Sequence, residues 1–178
     1  MSLGTRTSSG LQNAPVSAGS AVRGSNQTGV RAYNERLVLS IIRQAGPMPK
    51  AAIARLTGLS AQTVSVIMRA LEDDGLLTKG APVRGKVGQP SVPMGLAADG
   101  AFFLGLKVGR RGSELLLSDF LGTVRAHKRK AYEHLTPDSA VAFANETIRA
   151  FLAELPEASV ARVAGLGIAL PFRTWDWV

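Results

Sequence analysis

Gln62, Ser65 and Arg69 stand three and four residues apart, and on a helix turning about 100° per residue they share one face with Val66. Such a set has no His, Cys or carboxylate to activate the Ser65 hydroxyl, act as a general acid or hold a metal. Its chemistry is recognition: a Gln amide pairs with the edge of adenine, and an Arg guanidinium with guanine or a phosphate oxygen. Lys50, Ser60 and Thr63 lie near enough in sequence to hold a phosphate backbone beside that face. Arg84 and Lys86, further along, are candidates for phosphates or an adjacent minor groove.

Around these residues run the elements that would position them. Over Lys50 to Leu71, KAAIARLTGLSAQTVSVIMRAL, Ile53 and Leu56 mark the apolar side of one short helix. Val64, Ile67, Met68 and Leu71 mark that of a second, with Leu59 between. Thr57-Gly58-Leu59 is the turn: Gly58 supplies a positive φ, and Ser60 caps the second helix through its side-chain oxygen. The pattern predicts a helix-turn-helix, whose second helix enters a major groove by its N-terminal part. An ordinary helical hairpin with a solvated outer face would show the same spacing. A preceding helix is expected from Arg31, with Leu37, Val38, Ile41 and Ile42 inward and Gly46-Pro47 closing it, and Pro49 suits the first turn of the next. Asp73-Asp74-Gly75 ends the third helix. Leu76-Leu77-Thr78 and Val92 to Leu96 then read as strands around the basic, Gly-rich loop KGAPVRGKVGQPS, the hairpin of a winged helix.

Composition narrows the partners. A chain of 178 residues, 46% hydrophobic, suits one medium domain or two small ones with a real core. The net charge of +8 is unevenly spread: residues 31–96 carry nine basic side chains against four acidic, residues 97–178 ten against nine. A basic first half beside a nearly neutral second fits a polyanion-binding module joined to one that takes another kind of ligand. With no Cys and two His, neither a disulfide nor a thiolate zinc site is available, and no metal or cofactor is expected. His127 and His134 lack the surroundings of catalytic histidines, and the run His127 to Lys130 reads as a charged sheet edge. No apolar run approaches the roughly 20 residues of a bilayer span and no signal-peptide core is present, so a cytoplasmic protein away from the membrane is expected.

Residues 1–30, rich in Ser, Gly and Thr without apolar periodicity, are expected as a disordered arm, 31–96 as the winged helix-turn-helix and 97–178 as a second domain. After a junction at Ala97 to Gly100, the runs AFFLGLKVG, SELLLSDF and TVRAHKRKAY predict a β-meander with a turn at Phe120-Leu121-Gly122. Thr136 and Pro137 begin a helix whose inward side is marked by Val141, Ile148, Phe151 and Leu152, and VARVAGLGIAL, Val160 to Leu170, reads as a buried strand. One helix leaves a face of such a sheet uncovered, which points to a longer protein, in which Trp175 and Trp177 would pack or line a cleft.

On these residues the chain resembles the ROK family of bacterial sugar-responsive repressors and sugar kinases, over roughly residues 34 to 175. NERLVLSIIRQAGPMPKAAIARLTGLSAQTVSVIMRALEDDGLL and the wing segment VGQPSVPMGL carry the likeness in the first half, AFFLGLKVGRRGSELLLSDFLGTV and GLGIALP in the second. The resemblance implies an α+β and α/β chain. A winged helix-turn-helix is followed by the first part, βββαβ, of an actin-like ATPase (ribonuclease H-like) domain used for sugar sensing. In the wing the family usually shows Gly-Arg-x-Pro, and Gln89 stands at the place of that Arg. Catalytic relatives read approximately Asp-x-Gly-Gly-Thr after the first strand, where this chain has Lys107-Val108-Gly109-Arg110-Arg111. Lys reverses the charge beside the metal-phosphate group, and two Arg add bulk where backbone must approach phosphate. The family's catalytic Asp and Cys-rich zinc motif have no counterpart within these residues.

The expectation is therefore a DNA-binding transcriptional regulator and not an enzyme. It would repress carbohydrate genes in response to a sugar or sugar phosphate, and bind a duplex operator as a homodimer with recognition helices about 34 Å apart. A sugar kinase with an added helical module, and a winged helix that binds protein, are the alternatives.

Overall fold

The computed structural model describes residues 25–83 and 91–171. A helical unit with a small hairpin comes first, and a four-stranded sheet under one long helix follows.

In the first unit α1 (Ser25–Ala45), α2 (Lys50–Thr57) and α3 (Ala61–Asp73) precede β1 (Leu77–Lys79) and β2 (Met94–Leu96). Val38 and Ile42 of α1, Ile53 of α2 and the predicted stripe of α3, Val64, Ile67, Met68 and Leu71, close on one another over Leu77, Met94 and Leu96. Helix α1 begins at Ser25, so residues 25–30, expected in the arm, are helical. Once Val38 and Ile42 anchor the later turns, earlier ones need only propagation, and the Arg31–Glu35 pair at 2.8 Å supports them. Leu56, expected inward, is 62% exposed. Half-buried Thr57 lies inward instead, its hydroxyl donating to the Ile53 carbonyl at 2.8 Å, while Ala52 and Ala54 complete the packing.

Pro49 stands just ahead of α2, its carbonyl accepting from the amides of Ala52 and Ile53. Gly58 closes α2 at φ 70°. Gly75, at φ 72°, ends α3 in a Schellman turn: the Leu76 amide donates to the Leu71 carbonyl at 2.8 Å and that of Gly75 to Glu72 at 2.9 Å. Strands β1 and β2 are antiparallel, with Leu77 opposite Leu96, and Met48 joins them by exchanging two hydrogen bonds with Met94. Val83 and Ser91 also pair, on either side of the wing tip. Arg84, Lys86 and Gln89 in that tip, residues 1–24 of the expected arm, and Trp175 and Trp177 lie outside the described residues.

In the second unit β3 (Phe102–Gly109), β4 (Gly112–Asp119) and β5 (Val124–Ala131) form the predicted meander. Helix α4 (Pro137–Glu154) and the one-turn α5 (Glu157–Val160) lead to β6 (Val163–Ala169), which lies parallel to β3 in the order β5-β4-β3-β6. Phe102, Leu104, Leu106 and Val108 alternate into the core, while Phe103 and Lys107 face away. The turn after β4 is tied by Asp119, only 3% exposed. Its Oδ1 accepts from the amides of Leu121 at 3.0 Å and Thr123 at 2.9 Å, and its Oδ2 from Arg125 Nε at 2.7 Å. Burial alone would raise this carboxyl's pKa, but those donors outweigh it and hold the group below the ordinary carboxylate range. Thr136 and Ser139 cap α4 reciprocally.

Two expectations for this unit change. The inward side of α4 is Ala140, Phe143, Ala144, Thr147 and Phe151, and Val141 is 58% exposed. Small residues let α4 lie close to the sheet, and a stripe built on Ala and Thr is poorly marked by hydrophobicity. Strand β6 is not buried either: Leu166 and Ile168 are 39% and 59% exposed, and Leu170 just past its end is 61% exposed. It is an edge strand, and α4 lies over β3, β4 and β5 instead.

Candidate nucleic-acid interface

Helix α3 has two unlike faces. Its inward stripe is shut into the core, whereas Gln62, Val66 and Arg69 are exposed on the outer side and Ser65 is half-buried beside them. The helix is fixed at its start by Ser60, whose side-chain oxygen accepts from the Thr63 amide at 3.1 Å and shares a hydrogen bond with the Thr63 hydroxyl at 2.8 Å. The cap satisfies the Thr63 amide at the positive end of the helix dipole, beside Gln62. Lys79 Nζ on β1 reaches Glu72 Oε1 at 2.6 Å, tying the base of the wing to α3.

The sequence-derived candidates thus divide. Ser60, Gln62, Thr63, Ser65 and Arg69 gather at the start and along the outer side of α3, and Lys50 opens α2 half-buried. A flank that the sequence reading did not single out is α1. Val30, Arg31 and Asn34 stand across an open groove of about 640 Å³ from Gln62, Thr63 and Val66. The signal for it was present: Val30 and Asn34 continue backward the four-residue spacing of Val38 and Ile42.

Lys107, Arg110 and Arg111, singled out in the second half of the sequence, lie at the end of β3 and in the turn after it. Lys107 pairs across the sheet with Glu114, and Arg110 and Arg111 are exposed in the turn between β3 and β4. Among the described residues no His, Asp or Glu side chains gather into a group that could hold a metal ion. Nor is any single described helix long and apolar enough to cross a membrane.

Residues 31–78, which run from within α1 into β1, match the family described as winged helix-turn-helix DNA-binding. The chain also aligns with the crystal structure of a ROK family transcriptional regulator, a homologue of the E. coli MLC protein, at a TM-score of 0.59 and 24% identity, covering 80% of this chain and 36% of that one. Xylose repressors of Bacillus spizizenii and Bacillus subtilis are 24% and 23% identical over 146 residues, 82% of this chain and 38% of theirs. A transcriptional regulator of Mycobacterium tuberculosis is 33% identical over 87 residues, 48% of this chain and 20% of that protein. The chain therefore spans 38% of the length of the xylose repressors it matches. Its fold is that of the ROK family transcriptional regulators, the family its sequence resembles.

Proposed function

We propose that the chain is the DNA-reading end, with part of the effector domain, of a cytoplasmic repressor of carbohydrate genes that binds its operator as a homodimer. The outer face of α3 carries the proposal: Gln62 and Arg69 are free for base edges on a helix whose other side is buried and whose start is capped. Gln62, Ser65 and Arg69 then read bases, while Ser60, Thr63 and Lys50 hold phosphates and Arg84, Lys86 and Gln89 serve the wing. The xylose repressors among the relatives support a sugar or sugar phosphate as effector of the second unit. Basic Lys107, Arg110 and Arg111 support sensing without phosphoryl transfer.

Selection of bound sequences from a random duplex pool tests the reading. The expected result is an enriched palindrome with half-sites one helical turn, or a multiple of it, apart. Equal recovery of all duplexes would reject sequence reading by α3, and sugar-dependent ATP turnover by the chain would reject the non-enzymatic assignment.

A further inference from the structure

Arg162 takes no part in the DNA-reading face, yet its side chain crosses the boundary between the two units. Its backbone belongs to the sheet: the carbonyl accepts the Phe102 amide at 3.0 Å and the amide donates to Ser159 at 3.0 Å, just before β6 begins. From there Nη1 donates to two carbonyls, Asp74 at 3.1 Å and Gly100 at 3.1 Å. Asp74 is the C-cap of α3, so the guanidinium sits at the negative end of that helix's dipole, where a cation is favoured. Gly100 lies in the turn that joins the units.

The surroundings are shaped to this side chain. A Cβ on Gly75 would stand 2.8 Å from Arg162 Nη2, and one on Gly100 would stand 3.0 Å from the Gly75 carbonyl oxygen and 3.2 Å from the Phe120 ring. The two backbones therefore meet at glycines. Phe120, from the turn after β4, packs against the core of the helical unit, and the Phe120 amide donates to Ala98 at 3.0 Å while that of Ala97 donates to Leu76 at 3.0 Å. Both bonds come from Nη1, whose two N–H directions are fixed in the guanidinium plane, whereas an ammonium can make two such bonds but rotates about its stem.

We infer that Arg162 is a positioning residue that locks the C-terminal end of α3 to the sheet, so that the two units turn as one body and the sheet sets the direction of the recognition helix. Because β6 starts at the next residue, the Arg162 side chain gives a displacement of that strand a direct route to the end of α3.

Backbone 15N relaxation of the 178-residue chain, without DNA, tests this lock independently of the DNA-binding reading. Residues 31–79 and 102–169 are expected to share one rotational correlation time. Arg162→Ala should abolish the sharing, with each unit tumbling faster and at its own rate, and Arg162→Lys should restore it in part. Thermal unfolding of the same variants separates a lost lock from lost folding, and Arg162→Gln, which keeps one donor, replaces the alanine variant if that fails to fold. A lowered midpoint with the shared correlation time intact, or separate tumbling in the unaltered chain, would overturn the inference.

Discussion

The helical unit and the sheet unit bury their apolar residues to different degrees. The stripes of α1, α2 and α3 meet within a single core, and Met68 and Val64 at its centre have no exposed surface. The sheet offers its apolar face mainly on β4, β3 and β6, while β5 turns Lys128 and Lys130 to the same side, and one helix lies over it. A helix with its side chains is about 10–12 Å across and strands lie about 4.8 Å apart, so one helix covers two to three of them. The uncovered remainder is an open groove of about 750 Å³ between α4 and β6, lined by Val141, Ile148, Leu166, Ile168 and Leu170 among others. Helices can satisfy one another pairwise, whereas a sheet face needs cover as wide as itself. The first unit is closed, and the second is open along one edge.

The contrast is sharpest in substitutions that remove the same kind of side chain from each side. Met68→Ala, at the centre of the closed core, should cost about 2–5 kcal/mol, read as a shifted midpoint in urea unfolding. A loss under about 1 kcal/mol would mean that the helical core is as loosely closed as the groove.

Asp119 is the polar counterpart inside the second unit, and its loss is expected to be next in size. Asp119→Ala leaves the Leu121 and Thr123 amides and Arg125 Nε without their acceptor, at a cost of about 1–3 kcal/mol. The pH dependence has a definite sign. The folded carboxyl titrates below its unfolded value, so its contribution is complete above the ordinary carboxylate range, about pH 3.9, and disappears as pH falls through the lower folded value. Urea midpoints between pH 7 and pH 2.5 should fall less steeply for the alanine variant than for the unaltered chain. Parallel curves would remove Asp119 from the acid sensitivity.

The third expected effect concerns binding and separates the two faces of α3. Arg69→Ala should weaken binding to the selected duplex by about 1–3 kcal/mol and hardly alter binding to random duplex. Because Arg69 points away from the core, the unfolding midpoint should stay within about 0.5 kcal/mol of the parent. Equal loss on both duplexes, measured by titration at one salt concentration, would reassign Arg69 to the phosphate backbone.

The same contrast explains which elements were readable from the sequence. In α3 every inward position is Val, Ile, Met or Leu, so periodicity alone located the stripe, the Gly58 turn and the Ser60 cap. In α4 Phe151 and half-buried Ile148 marked the buried side correctly, but Ala140, Ala144 and Thr147 share it without a strong hydrophobic signal and apolar Val141 faces the groove, so only part of the stripe was readable. Strand β6 misled too: a run of small and apolar residues describes a central strand equally well, and only its terminal place in the order β5-β4-β3-β6, which no local pattern records, makes it an edge among the described strands. The α1 flank of the candidate interface was legible only as the spacing of Val30 and Asn34 behind Val38 and Ile42, because the turn ahead of Val30 has no apolar residue to extend the stripe. Arg162 was hidden for another reason, since its partners are backbone carbonyls 88 and 62 residues away and leave no mark in local spacing.

The smallest expected effect is the one that most directly tests the open edge. Ile168 is 59% exposed on β6, so Ile168→Thr removes little buried surface and keeps a β-branched side chain suited to a strand. Its urea midpoint should lie within about 0.5 kcal/mol of the parent, against several kcal/mol for Met68→Ala. A loss above about 2 kcal/mol would show that the groove is covered in solution. Concentration then identifies the cover: if a second copy supplies it, the loss grows with protein concentration and sedimentation shows a dimer that Ile168→Thr weakens. If the effect is independent of concentration, the cover is part of the same chain, and the second unit is closed after all.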